Sequence, residues 1–205
     1  MRTGRFAVFA YDVGMTASPI IVVGLGNPGP KYEGTRHNVG VSVIEELAGR
    51  ATMSPATLAL HKRTNTQVAE LAAGRLLADR RVVLARTQSY MNVSGGPVKA
   101  LLDYFDASPA DLYVVHDELD LPLGEVKLRT GGGDHGHNGL KSVTQSLSKL
   151  KNGKNYNKLA VGIGRPPGKM PPADYVLRQF AAKEQIDVAI AVADAADAFI
   201  AHAQG

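Results

Sequence analysis

The chain has 205 residues, 44% of them hydrophobic and 20% charged, so we expect one globular domain with a single well-filled core. It contains no cysteine, which excludes disulfides, thiol catalysis and cysteine-ligated metals. No apolar run approaches the roughly 20 residues that cross a bilayer, so we expect a cytoplasmic protein. The net charge of +4 is compatible with an acidic partner such as nucleic acid.

Residues 1–17 are predicted to be an extension outside the fold. They hold two arginines and a short apolar patch, Phe6–Tyr11, which is too brief for a signal-peptide core. Met15 stands just before the first convincing strand, so residues 1–14 are expected to be dispensable. The domain is therefore placed at residues 18–205.

The best strand prediction is Pro19–Leu25, a β-branched run that a Gly-Asn-Pro-Gly turn closes. A helix with apolar residues at helical spacing is predicted over Asn38–Arg50, with Asn38 as its cap. The later elements, in chain order, are strands at Gln67–Ala73, Arg75–Ala78 and Arg81–Arg86, a helix at Ser94–Phe105, strands at Leu112–His116 and Glu125–Arg129, a helix that follows the glycine cluster Gly131–Gly139 and runs to about Lys149, a strand at Lys158–Ile163, and a helix at Ala181–Ala203. Two stretches, Ala51–Thr66 and Arg165–Pro172, are expected to be surface loops.

Strands that alternate with helices predict the fold class: an α/β single domain with a mixed, mostly parallel sheet and helices on both faces. In such sheets the loops beyond the carboxyl ends of the strands gather at one edge, where ligands bind. We therefore expect the chemistry to follow Leu25, Arg86 and His116.

The segment Gly24-Leu25-Gly26-Asn27-Pro28-Gly29 formally matches the dinucleotide-binding pattern GxGxxG. That pattern works only where the glycines open a helix whose N-terminus meets the pyrophosphate. Here two prolines and a further glycine delay the helix by about ten residues. A nicotinamide-dependent oxidoreductase is therefore an alternative that the sequence does not favour, and cofactor-induced thermal shift would reveal it.

Polar side chains cluster at the predicted sheet edge. Asn27 and His37 bracket the first loop, and Asp117 follows an apolar strand, from which a carboxylate can orient an imidazole. Asn92 and Asn138 lie in two further loops, and asparagine donates to an oxyanion without titrating. By itself His37 is more typical of a structural histidine hydrogen-bonded near a helix start. The whole set indicates hydrolysis by water that His37 activates, since no GxSxG elbow is present.

Asp134, His135 and His137, with His116 elsewhere, form a candidate metal cluster. Their spacing matches no HExxH or zinc-finger pattern, so neither a metal nor another cofactor is expected.

From Pro19 onward the chain resembles the bacterial peptidyl-tRNA hydrolase family. The segments that carry the resemblance are VVGLGNPGPKYEGTRHNVG (22–40), YMNVSGGPV (90–98), HDELDLPLGEVKLR (116–129), GHNGLKSV (136–143) and VGIGRPPG (161–168). They agree in order and spacing over nearly the whole length, which makes the resemblance specific.

The resemblance implies that His37 is the base that activates water and that Asp117 holds its imidazole. It also implies a set of substrate-contacting residues: Asn27, Tyr32, Tyr90, Met91, Asn92, His137 and Asn138. Packing is the expected role of Tyr90. A site of pre-oriented amides should prefer substrates whose amino acid is already acylated, because unpaired buried amides cost about 1 to 3 kcal/mol each.

The implied partner is peptidyl-tRNA, bound through its acceptor stem and CCA end by a monomer that needs no other protein. Lys127 and Arg129, on an alternating strand, are the implied phosphate contacts, and a solvated strand face is the alternative. Many relatives carry a basic residue where this chain has Ala160, so we hypothesise that Lys158 partly substitutes. His135 stands where the family usually has glycine, and sequence alone gives no account of it.

A non-catalytic RNA-binding relative of the same fold is the main alternative function. The presence of His37, Asp117 and the three asparagines argues against it.

Overall fold

The computed structural model describes residues 17–205. The predicted extension, apart from its last residue, lies outside the described residues, and so does the expectation that residues 1–14 are dispensable. No helix within 17–205 is both long and apolar enough to cross a membrane.

Within residues 17–205, seven strands form one sheet. In chain order they are β1 Ile20–Gly24, β2 Ala59–His61, β3 Thr66–Leu71, β4 Val82–Thr87, β5 Leu112–Glu118, β6 Val126–Thr130 and β7 Asn157–Gly162. Their order across the sheet is β2-β3-β4-β1-β5-β7-β6. The four central strands are parallel, whereas β2, β3 and β6 pair in antiparallel fashion at the edges. The α/β prediction with a mixed sheet is therefore confirmed.

Five helices of the described part of the chain cover the sheet: α1 Val39–Gly49, α2 Gly95–Phe105, α3 Asn138–Leu147, α4 Pro172–Val176 and α5 Gln185–Gln204. The buried apolar residues of α1 and α5 share one core cluster with one face of the sheet. Those of α2 and α3 belong to a second cluster on the opposite face. Helices on both faces explain why β1 is buried along its whole length and reads as an unbroken apolar run.

The predicted strand at Arg75–Ala78 is wrong, because this segment belongs to the turn that joins β3 to β4. Gly74 adopts a φ of 84° and its N–H donates to the Leu77 carbonyl at 2.7 Å. Leu77 is buried and anchors the turn to the core, which accounts for its apolar character without a strand.

Two further predictions need correction. The stretch Ala51–Thr66, expected to be a loop, contains β2, which pairs with β3 and is largely exposed, so it lacks the alternation that marks a half-buried strand. The C-terminal helix begins at Gln185 and follows a 3₁₀ turn at Ala182–Glu184.

Candidate active site

Three neighbouring parallel strands, β4, β1 and β5, end at the same edge of the sheet. The loops after Leu25, Arg86 and His116 therefore lie together, as the sequence predicted. This edge carries the predicted site residues Asn27, His37 and Asp117.

The His37 turn is held tightly against the sheet. A Cβ added at Gly24 would lie 2.3 Å from the Gly40 carbonyl oxygen, and one added at Gly40 would lie 2.4 Å from the Val115 carbonyl oxygen. Only glycine permits this approach of helix α1 to β1 and β5. The glycines of the GxGxxG-like segment thus include one needed for packing, and α1 begins only at Val39, too late for a pyrophosphate loop.

Arg36, which sequence reasoning missed, anchors the same turn from the other side. Its side chain is buried, and its Nη2 donates to Oε2 of Glu184 at 2.7 Å. Its guanidinium also lies over the rings of Tyr175 and Phe180, 4.4 and 4.6 Å from their centroids. A basic residue directly before the candidate histidine was the available signal.

His37 and Asp117 are brought together as predicted. The Nδ1 of His37 lies 2.8 Å from Oδ1 of Asp117, and the two side chains are 12% and 3% exposed. An N–H at Nδ1 leaves Nε2 with a lone pair, and that atom has no hydrogen-bond partner within residues 17–205.

His137 is a second partner of the same carboxylate oxygen. Its Nε2 lies 2.9 Å from Oδ1 of Asp117, while its Nδ1 accepts from the backbone N–H groups of Gly139 and Leu140 at the start of α3. An acceptor at Nδ1 requires that Nε2 carries the proton in the neutral ring. Helix capping therefore fixes the tautomer that donates to Asp117.

The electrostatics keep Asp117 ionised. Burial would raise the pKa of its carboxyl, but the interactions with His137 and His37 outweigh burial and hold this pKa far below its usual range. Directly before it, His116 is fully buried, and burial together with His137 lowers its pKa to about 3. His116 is thus neutral and adds no competing positive charge.

The three asparagines divide into two groups. Asn27 is engaged within the fold: its Oδ1 accepts from the Met91 N–H at 2.8 Å, and its backbone exchanges two hydrogen bonds with the side chain of Asn38. Asn38 was expected to cap α1, and this prediction is wrong. Its side-chain amide is hydrogen-bonded to the backbone of Asn27 instead. Asn92 and Asn138 are exposed, and within the described part of the chain their amides have no hydrogen-bond partner.

The remaining predicted pocket residues lie on the loop after β4. Met91 is buried, and a Cβ added at Gly139 would lie 2.5 Å from its Sδ, so it packs the Asn92 turn against α3. Tyr90 is 57% exposed and meets Tyr32 edge to face at 6.3 Å, which contradicts a packing role for Tyr90.

A cavity of about 370 Å³ opens beside the histidine pair. Its lining combines His37, Asp117, His137 and Asn138 with apolar side chains of the β5 loop and α4. A larger, more polar cavity of about 510 Å³ contains neither His37 nor Asp117 in its lining. The smaller cavity is the candidate active site because His37, Asp117 and His137 line it.

Of the basic residues predicted to contact tRNA, Lys158 is the one that departs from the prediction, because it is buried. Lys127 is exposed on β6. Lys158 is 0% exposed, and its ammonium donates to the carbonyls of Gly132 and Gly133 and to Asp134. The hypothesis that it contacts tRNA phosphate is thus contradicted in this conformation, because its donors are used to hold the loop before α3.

Donor atoms of His37, Asp117 and His137 lie within 4.8 Å of one another, close enough to surround a metal ion. However, both histidine contacts to Asp117 have hydrogen-bond lengths, and the capped ring of His137 presents an N–H rather than a lone pair. The arrangement fits a hydrogen-bonded proton-transfer site better than a metal site.

The fold and the site define a class: α/β proteins that place a buried aspartate and a histidine at the carboxyl edge of a mixed sheet. The peptidyl-tRNA hydrolase family model matches residues 21–205. The peptidyl-tRNA hydrolase of Corynebacterium efficiens is 55% identical over 188 residues, which cover 92% of this chain and 98% of that protein. Peptidyl-tRNA hydrolase 1 of Corynebacterium glutamicum is 53% identical and covers 93% and 99%.

Solved structures agree with this match. The crystal structure of peptidyl-tRNA hydrolase from Acinetobacter baumannii at 1.00 Å resolution superposes with a TM-score of 0.75 at 30% identity, covering 92% of this chain and 94% of that one. This chain belongs to the peptidyl-tRNA hydrolase family.

Proposed function

We propose that this protein hydrolyses the ester bond between peptide and tRNA in peptidyl-tRNA, with His37 as the general base. The assignment of the base rests on the hydrogen bond from His37 to a buried, ionised Asp117, beside a cavity and with Nε2 bonded to no group within residues 17–205. Family membership supports the substrate class.

In the proposed reaction a water molecule attacks the ester carbonyl while Nε2 of His37 takes one of its protons. The imidazolium that forms is stabilised by the charge of Asp117 across 2.8 Å. The tetrahedral intermediate then expels the ribose hydroxyl, and His37 returns the proton to that leaving oxygen. The products are free tRNA and a peptide carboxylic acid, which releases its proton to solvent and becomes a carboxylate, and His37 is neutral again.

Two amides are suited to the negative oxygen of the intermediate. Asn92 and Asn138 are both exposed, and their NH₂ groups are not used by described residues. Neutral amide donors of this kind stabilise an oxyanion without changing their own protonation. We assign Asn27 a different part in the proposed site: it positions the Asn92 turn through Met91.

His137 supports the same carboxylate in this proposal. A second N–H on Oδ1 favours the ionised form of Asp117 and fixes its direction toward His37. The half-buried Tyr32 and the exposed Tyr90 form an aromatic pair on the neighbouring loops, which suits contact with the substrate. Lys127 and Arg129 are the proposed contacts to phosphates of the acceptor stem, and we expect the protein to act as a monomer on the CCA end.

The test is release of tRNA from an N-acetyl-aminoacyl-tRNA, with the same unblocked aminoacyl-tRNA as the matched control, at low and moderate salt. We expect turnover of the blocked substrate and at least roughly tenfold slower turnover of the control, because an unfilled amide contact costs more than 1 kcal/mol. Binding of tRNA without turnover of either substrate would contradict the proposal and favour a non-catalytic RNA-binding protein.

A further inference from the structure

The loop between β6 and α3 carries an unusual residue. His135 has a φ of 43°, in the left-handed region where a side chain is normally disfavoured. An imidazole at this position is therefore expected to be held by contacts that offset the backbone cost.

Those contacts define its protonation and its orientation. Nη1 of Arg129 donates to Nε2 of His135 at 2.7 Å. Because a guanidinium only donates, Nε2 carries the lone pair and the ring proton lies on Nδ1. That Nδ1 is 3.2 Å from Oε2 of Glu118, which is buried.

His135 thus connects the active-site strand with the basic strand. Glu118 follows Asp117 at the end of β5, and Arg129 lies on β6. Nη2 of Arg129 also donates, at 3.1 Å, to the carbonyl of Gly133, which lies in the same loop as His135. The His135 side chain is 40% exposed and lines the cavity that contains His37.

We propose that His135 is a positioning residue for Arg129. It holds the guanidinium beside the cavity. A tRNA phosphate bound by Arg129 is thereby placed at a fixed distance from the ester that lies at His37. The inference rests on the proposed function and adds a residue through which phosphate binding is matched to the catalytic site. An arginine that is already oriented loses less side-chain freedom when it binds phosphate, so the gain appears in KM rather than in kcat.

The experiment compares the wild type, His135→Gly, His135→Asn and Arg129→Ala on two substrates at low salt. One is N-acetyl-aminoacyl-tRNA, and the other is the same acyl group esterified to adenosine, which has no phosphate. Asparagine tolerates the left-handed backbone, but its amide ends where the Nδ1 and Cδ2 of the imidazole begin, so it does not reach Arg129. It is therefore the control that keeps the backbone and removes the contact.

We expect both His135 variants to raise KM for the tRNA substrate by about fivefold, with kcat within about twofold and no change on the adenosine ester. In an Arg129→Ala background, His135→Asn should add nothing, since the two residues act through one contact.

A wild-type KM in His135→Asn would overturn the inference, and so would an unchanged KM in Arg129→Ala. A fall of kcat on both substrates, or an effect that persists without Arg129, would assign His135 to loop stability instead. Failure of the proposed function would be distinguishable, because the wild type itself would then release no tRNA.

Discussion

Replacement of Asp117 by asparagine is the most informative single change in the site. The amide has nearly the same shape as the carboxylate, and its Oδ1 can still accept from Nδ1 of His37 and Nε2 of His137, which lie 2.8 and 2.9 Å away in the wild type. The substitution therefore removes the negative charge and leaves the hydrogen-bond geometry nearly intact.

The magnitude follows from the charge that develops on His37. Two opposite unit charges whose centres are about 4 Å apart attract by about 4 kcal/mol at an effective dielectric constant near 20. Asp117 is 3% exposed, so solvent screens it little. A loss of about 4 kcal/mol from the transition state lowers the rate about a thousandfold.

We expect Asp117→Asn to reduce kcat on N-acetyl-aminoacyl-tRNA by about a thousandfold and to change KM by less than about threefold. The matched control is Asp120→Asn, which removes the same charge three residues further on, from a half-exposed carboxylate paired with Arg165. That variant should keep wild-type kcat. A fall of less than about tenfold in Asp117→Asn would refute the idea that this carboxylate stabilises an imidazolium.

Three further changes test how the site is supported. Burial would raise the pKa of Glu184, but the Arg36 hydrogen bond lowers it, so this pair stabilises the fold above the ordinary glutamate pKa and less as pH falls below it. Arg36→Met should therefore reduce the free energy of unfolding by about 3 kcal/mol near neutral pH and by less in acid, measured by urea denaturation. Gly139→Ala should cost about 1 to 3 kcal/mol in the same assay, because its Cβ would meet Met91. Lys158→Met should lower kcat and leave the salt dependence of KM unchanged. If Lys158 contacted a phosphate, its loss would instead reduce the slope of log KM against log salt concentration by about one.

Sequence predicted most of the sheet because central parallel strands are buried on both faces and read as apolar runs, as β1 and β5 do. Strand β2 could not be found in this way, since it is largely exposed and is defined by its pairing with β3. The turn at Leu77 was misread because one buried anchor in a short apolar segment looks like strand alternation.

The candidate pair His37 and Asp117 was predictable from strand ends and from the family resemblance. The partnership of His137 with Asp117 was not, because it depends on a helix cap that fixes a tautomer 20 residues away along the chain. Lys158 was misassigned for a similar reason. Its position just before the apolar run Leu159–Val161 on a central strand indicates burial, but only the structure shows the carbonyl groups that hold its ammonium.

In the proposed reaction His37 activates the water that hydrolyses the ester. The most direct measurement is the rate of tRNA release from N-acetyl-aminoacyl-tRNA by the wild type, by His37→Ala and by His61→Ala, a control histidine on β2 that binds Thr64. We predict that His37→Ala falls by about a hundredfold or more, consistent with lost base catalysis, while His61→Ala keeps the wild-type rate. A folded His37→Ala variant that retains the wild-type rate would contradict the role of His37 as the general base.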